Sequence, residues 1–184
     1  MIKSVRFLLL SLLLLVPGTA PETPQQVVTR YNNYKAICNG LGYENSGCKD
    51  AADTIAFQST LTKTLLNMKL HETVVFDKVS LNEGNAYSTA TGKFTAPLDG
   101  IYSFTWTTLT EAPKFFLTEI VRNGQPIAYN HNDARGIGSG GYPMSSSHAY
   151  IKMKKGDKVW IRVNRNPGQY IQGGNWCNFS GIKF

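Results

Sequence analysis

The stretch "GKFTAPLDGIYSFTW", residues 92–106, decides the fold. From Tyr102 a large ring recurs at every second residue, as Tyr102, Phe104 and Trp106, with Ser103 and Thr105 between them. A period of two belongs to a strand with one face buried, here in an aromatic core. Pro97 and the Asp99-Gly100 pair upstream read as the turn that feeds this strand.

Outward from there, the chain from Ile55 onward reads as strand after strand. "IAFQSTL" sets Ile55, Phe57 and Leu61 against polar residues, "ETVVFDKVSL" leads into the loop "NEGN", and "AYSTATGKF" carries a Thr91-Gly92 turn signal. "FFLTEIVRNGQPIAY" holds Asn123-Gly124, the strongest short hairpin cue. "SHAYIKMKKGDKVWIRV" points Ala149, Ile151 and Met153 inward, turns at Gly156-Asp157, and resumes with Val159, Ile161 and Val163 inward. "NWCNFSGIKF" closes the chain as a last strand. Many short strands joined by glycine turns, without a long helical period, predict an all-β antiparallel sandwich over residues 54–184.

The N-terminal part is different. Met1–Arg6 carries two positive charges, Phe7–Val16 is a leucine-rich run, and Pro17-Gly18-Thr19-Ala20 supplies small residues for cleavage after Gly18 or Ala20. This pattern predicts a secretory signal peptide over residues 1–20, its apolar run being too short to span a bilayer. The expected product is extracellular and not an integral membrane protein. Residues 21–53 read as a leader, with Val27, Val28, Tyr31 and Tyr34 at roughly helical spacing and no Gly-X-Y run that would make a collagen stalk. In an oxidising compartment Cys38 and Cys48 are expected to pair across "CNGLGYENSGC", a loop that would contribute about 3 kcal/mol through the unfolded state. Cys177 is then odd, either a buried free thiol or a link between subunits. The 184 residues carry a formal net charge of +7, falling to +5 if Lys3 and Arg6 leave with the signal. That excess suits anionic glycans or matrix as well as plain solubility. Nothing in the sequence carries a nucleic-acid motif.

The order Phe76, Asn82, Tyr87, Phe94, Gly100, Tyr102, Phe104 and an aromatic at Trp106 resembles the signature of the complement C1q globular domain. Gly92-Lys93-Phe94, Pro97, Asn123-Gly124, Gly156-Asp157 and Phe179-Ser180-Gly181 match further features of that family, so the resemblance covers about residues 53–184. Two positions depart from it: Trp106 stands where Phe or Tyr is usual, and Ser88 where an acidic residue often follows the tyrosine. The resemblance implies a ten-stranded jelly roll of the tumour-necrosis-factor-like type that assembles as a homotrimer. It also implies a lectin-like pattern-recognition role, binding microbial or anionic glycans in innate immunity. The alternative is an extracellular organiser or matrix component that binds a protein receptor or matrix.

The candidate chemistry fits binding and not catalysis. His71, His131 and His148 stand in no triad or zinc spacing, and "GIGSGG" at 136–141 is followed by Tyr142-Pro143 instead of a helix. The long polar stretch 129–148 offers Asn130, His131, Asp133, Arg135 and Tyr142, the donors, acceptors and aromatic face that a saccharide site requires. No cofactor is required. Calcium is the one candidate, because the resemblance places this region near a calcium site and Asp133 is the loop's sole carboxylate. Lys152, Lys154, Lys155 and Arg162, with Lys158 and Arg165 beside them, form the densest basic stretch, either an anion-binding ribbon or a solvated strand face. Asn178-Phe179-Ser180 is an N-glycosylation sequon in an expected central strand.

Overall fold

The computed structural model describes residues 23–40, 54–165 and 168–184. The chain divides into two compact units, residues 1–49 and 50–184. In the first, Pro24–Gly40 forms helix α1. Its start is written in the sequence: Thr23 Oγ1 accepts from the Gln26 amide at 3.3 Å, the Gln26 side-chain oxygen accepts from the Thr23 amide at 2.8 Å, and Pro24 takes the first helical position. Val27, Val28, Tyr31 and Ile37 are exposed on it. The expected Cys38–Cys48 loop lies outside the described residues. Among the described residues no helix is long and apolar enough to cross a membrane.

Among its described residues the second unit contains twelve strands: β1 (Ala56–Thr60), β2 (Leu65–Met68), β3 (Lys78–Glu83), β4 (Tyr87–Ser88), β5 (Lys93–Thr95), β6 (Gly100–Leu109), β7 (Phe115–Arg122), β8 (Gln125–Asp133), β9 (Met144–Met153), β10 (Lys158–Val163), β11 (Gly168–Ile171) and β12 (Asn178–Lys183). Ten of them make a sandwich of two five-stranded sheets, ordered β3-β1-β12-β6-β9 and β4-β5-β10-β7-β8. A small β2-β11 ribbon is additional. All pairings are antiparallel, and the β7–β8 hairpin turns through Asn123 and Gly124 with φ of 50° and 87°, the pair of positive values that a two-residue hairpin turn needs.

Between the sheets the opening stretch does what its alternation implies. Tyr102, Phe104 and Trp106 are fully buried and join Phe57, Phe76, Tyr87, Phe94 and Phe179 in one aromatic cluster. Phe57 stacks on Tyr87 at 4.8 Å, and Phe94 meets Phe104 edge-on at 5.2 Å. The polar tips are satisfied: Tyr102 Oη donates to Leu98 O, Tyr87 Oη to Phe76 O, and Trp106 Nε1 to Thr118 Oγ1. Burial pushes the Tyr87 phenol up to about 12. Asn82 explains its place in the signature, because its side chain brackets the turn by bonding both the amide and the carbonyl of Tyr87. Gly181 lets the last strand pass the rings, since a Cβ there would lie 2.6 Å from Phe104 Cδ1 and 2.7 Å from Phe57 Cε1.

Two readings of local structure are corrected. Residues 72–77 are not a strand of their own; Thr73 makes an isolated bridge to Arg162 and the Val74 amide bonds Ile161 O, beside β10. The stretch 129–148 is not one long loop, because β8 continues to Asp133 and β9 begins at Met144. Its asparagines look loop-like by composition, yet Asn130 and Asn132 are buried strand residues. Asn130 Nδ2 donates to Ser145 O, and Asn132 Nδ2 donates to Thr108 O and Pro143 O, so these amides tie neighbouring strands together.

Candidate functional site

At the end of the sandwich away from the chain's last residue, three loops are stapled together by backbone bonds. Ala112 N donates to Gly141 O, Ala134 N to Lys114 O, and Gln172 N to Leu109 O. The third loop is the most constrained. A Cβ on Gly173 would lie 2.4 Å from the Lys63 carbonyl carbon, and Gly174 and Asn175 take φ of 73° and 68°. Their amides donate to Thr62 O and Leu61 O. This clamp holds the next residue, Trp176, with 60% of its surface in solvent. An indole held open on a rigid loop is a feature of binding surfaces more than of folding.

Trp176, Tyr142 and Met144 wall a cleft of about 540 Å³, with Leu109 and Gln172 completing it. The size lies within the range of small-ligand sites. Tyr142 Oη donates to Glu111 Oε1 at 3.3 Å, and Lys114 Nζ donates to Glu111 Oε2 at 3.1 Å. The negative charge of Glu111 holds the Tyr142 phenol above its ordinary value. The cleft therefore combines aromatic faces with a primary amide and an anchored carboxylate at its edge. Of its residues the sequence reading named Tyr142 alone. Trp176 carried a signal, a bulky ring directly after Gly-Gly-Asn, whereas Met144 and Leu109 became neighbours only through pairing of β6 with β9.

The other predicted residues scatter around this end. Asn130 is consumed between strands. His131 stands exposed on the outward face of β8, with Nε2 3.7 Å from Asp133 Oδ2. Asp133 accepts from the Arg135 amide at 3.0 Å and from its guanidinium at 2.9 and 2.5 Å, and the same guanidinium lies 4.5 Å from the Phe115 ring centroid. These bonds hold the Asp133 carboxyl well below the usual carboxylate range. A calcium ion takes about six to eight oxygens. One carboxylate already paired with a guanidinium does not fit that need, and among the described residues no group of three or more His, Cys, Asp or Glu could hold a metal.

The basic stretch is divided by the fold. Lys152 lies on β9 with its side chain away from the core, while Lys154 Nζ pairs with Asp99 at 2.8 Å and the Lys155 amide bonds the same carboxylate. Arg162 lies in the other sheet and its Nε donates to Glu119 Oε1 at 2.6 Å. The four do not form one ribbon. Cys177 is buried and free; its Sγ accepts from the Leu109 amide and donates to Gln172 O, and burial pushes the thiol up to about 11.

Residues 56–182 match the C1q domain family model. The chain belongs to the C1q domain family. Its C1q relatives include complement C1q tumor necrosis factor-related protein 2 of Mus musculus, 32% identical over 116 residues, which covers 63% of this chain and 37% of the relative. Heavy metal-binding protein HIP of Mytilus edulis is 32% identical over 107 residues, 58% of this chain and 49% of the relative. The chain thus spans less than half the length of these relatives. Among solved structures, the globular domain of zebrafish complement 1qA matches with a TM-score of 0.58 at 20% identity, over 71% of this chain and 97% of that domain. Eiger TNF from S. frugiperda matches with 0.59 at 10% identity, over 71% and 92%. The C1q domain therefore has the jelly-roll architecture shared with tumour necrosis factor folds, as the resemblance implied.

Proposed function

We propose that this C1q protein is a secreted, non-enzymatic recognition molecule that binds microbial or anionic glycans as a homotrimer. The observation that carries the reading is the Trp176–Tyr142–Met144 cleft. A pyranose presents an apolar C–H face and a rim of hydroxyls, which suits aromatic walls beside the Gln172 amide and the Glu111 carboxylate. The N-terminal apolar run supports secretion. The outward face of the β3-β1-β12-β6-β9 sheet supports self-association: Ile101, Tyr150, Ile182 and Phe184 are all exposed there near the chain's last residue, and Tyr150 and Phe184 rings lie 6.1 Å apart. A trimer formed through that patch gathers three clefts at its opposite end, so that weak individual sites gain avidity through effective concentration.

The test is a glycan panel read with the wild-type protein and Trp176→Ala. The expected result is binding that free sugar displaces, lost in the variant while the trimer persists in sedimentation. Sugar-insensitive binding to protein or matrix would replace this reading with an organiser role. Loss of the trimer in Trp176→Ala would make the cleft a subunit contact and refute it as a glycan site.

A further inference from the structure

A second cleft lies on the opposite sheet. Strand alternation and register place its residues in two rows across β10, β7 and β8. Arg162, Glu119 and Tyr129 are ladder partners in the first row; in the second, Leu117 pairs with His131 and its carbonyl accepts the Asn164 amide. Their side chains share the outward face, because Thr118, Ile161 and Val163 point into the core. Leu117, Glu119, Tyr129, His131 and Asn164 of these rows line an open cleft of about 360 Å³, with Arg165 at its edge.

The floor of this cleft is a charge. Glu119 is only 4% exposed, and its two oxygens accept from Arg162 Nε at 2.6 Å and Asn164 Nδ2 at 3.1 Å. An ionised carboxylate offers about four acceptor sites, so each oxygen retains one for a further donor. Beside it across the ladder is Tyr129, 60% exposed, and the exposed His131 and Arg165 also line the cleft. A buried acceptor, an amide held against it, an open aromatic wall and cationic or neutral donors at the edge are together what a polyhydroxylated ring needs. Arg162, only 15% exposed, supplies the compensating positive charge beside this carboxylate.

We propose that this cleft is a second saccharide site, separate from the Trp176 cleft, which takes a hexopyranose by accepting two of its hydroxyl protons on Glu119 while the ring lies on Tyr129. The proposal rests on the glycan-binding reading above and adds a site on the flank of each subunit, on the sheet that does not carry the exposed patch of Ile101, Tyr150, Ile182 and Phe184. A protein with an end site and a flank site can bridge glycan chains on different particles, which the end sites of one trimer, all facing one way, do less well.

The test is amide and indole NMR of the full secreted chain titrated with the methyl α-pyranosides of glucose, galactose and mannose. The expected result is two groups of shifts for at least one sugar, one at the Trp176 indole and one at residues 117–119, 129–131 and 164. Tyr129→Ala, a change at an exposed ring, weakens the second group by about tenfold and leaves the first unaltered. Glu119→Gln, which keeps the shape and exchanges an acceptor for a donor, does the same. Shifts at Trp176 alone would overturn the second site and leave the glycan reading standing. Shifts nowhere at tens of millimolar sugar would overturn both, and loss of both groups in Tyr129→Ala would show that the sites are not separate.

Discussion

Gly181→Ala is the most discriminating change in the core because two effects of opposite sign meet there. Gly181 lies in β12 with φ outside the left-handed region, so nothing in its backbone requires glycine. At such a position alanine stabilises by about 0.4–1 kcal/mol, through reduced freedom of the unfolded chain. Against this, the added carbon would sit 2.6 and 2.8 Å from Phe104 ring carbons and 2.7 Å from Phe57 Cε1. Carbon contacts are optimal at about 3.5–4.0 Å, so a ring must retreat by about 1 Å. Phe104 has little room, being fully buried with Phe94 at 5.2 Å and Phe179 at 6.0 Å. Overpacking of this kind costs about 1–3 kcal/mol, and against two fully buried rings the upper half of that range applies, about 2–3 kcal/mol, which leaves a net loss of about 1–2.6 kcal/mol. Urea unfolding at matched protein concentration measures it, since assembly would make stability concentration-dependent. Gly136→Ala is the control, because a Cβ there meets nothing within 4 Å. A Gly181→Ala midpoint equal to or above wild type would refute the packing argument, whatever the control did.

Three further outcomes follow from the site and its surroundings. The Asp133 carboxyl, held low by Arg135, should titrate below its ordinary range and return toward it in Arg135→Gln. Because its folded value lies below the unfolded one, its contribution to stability is present above the unfolded value and lost as pH falls through the folded one; carbon-detected NMR of the carboxyl shows either result. Cys177, buried with its thiol raised to about 11, should resist alkylation in native protein at pH 8 and react once the chain is unfolded. Rapid native labelling would contradict its placement. Asn178 faces outward from β12 on the sheet proposed to self-associate, so the secreted protein should carry no glycan there, and an intact mass showing one would count against the trimer face.

The fold was legible because its decisive residues announce themselves locally. Alternating rings in β6 and the Asn-Gly turn each act over a few positions, and each has the role its sequence implies. The binding surfaces were less legible, for two reasons. Polar strand residues look like loop residues: Asn130 and Asn132 have the composition of a ligand site, yet their amides serve strands that meet only in the folded sheet. Glu119 is the reverse case, a carboxylate inside "FFLTEIV" that reads as an interruption of an apolar run. Its meaning depends on Arg162, 43 residues away on β10, and on Tyr129 across the hairpin. A bulge between Ile120 and Val121 shifts that hairpin by one residue, so counting outward from Asn123-Gly124 would have placed the wrong neighbour opposite Glu119. Short-range periodicity thus determines which face a residue takes, whereas long-range register determines what it meets there. The chemistry of this protein's surface lies almost wholly in the second.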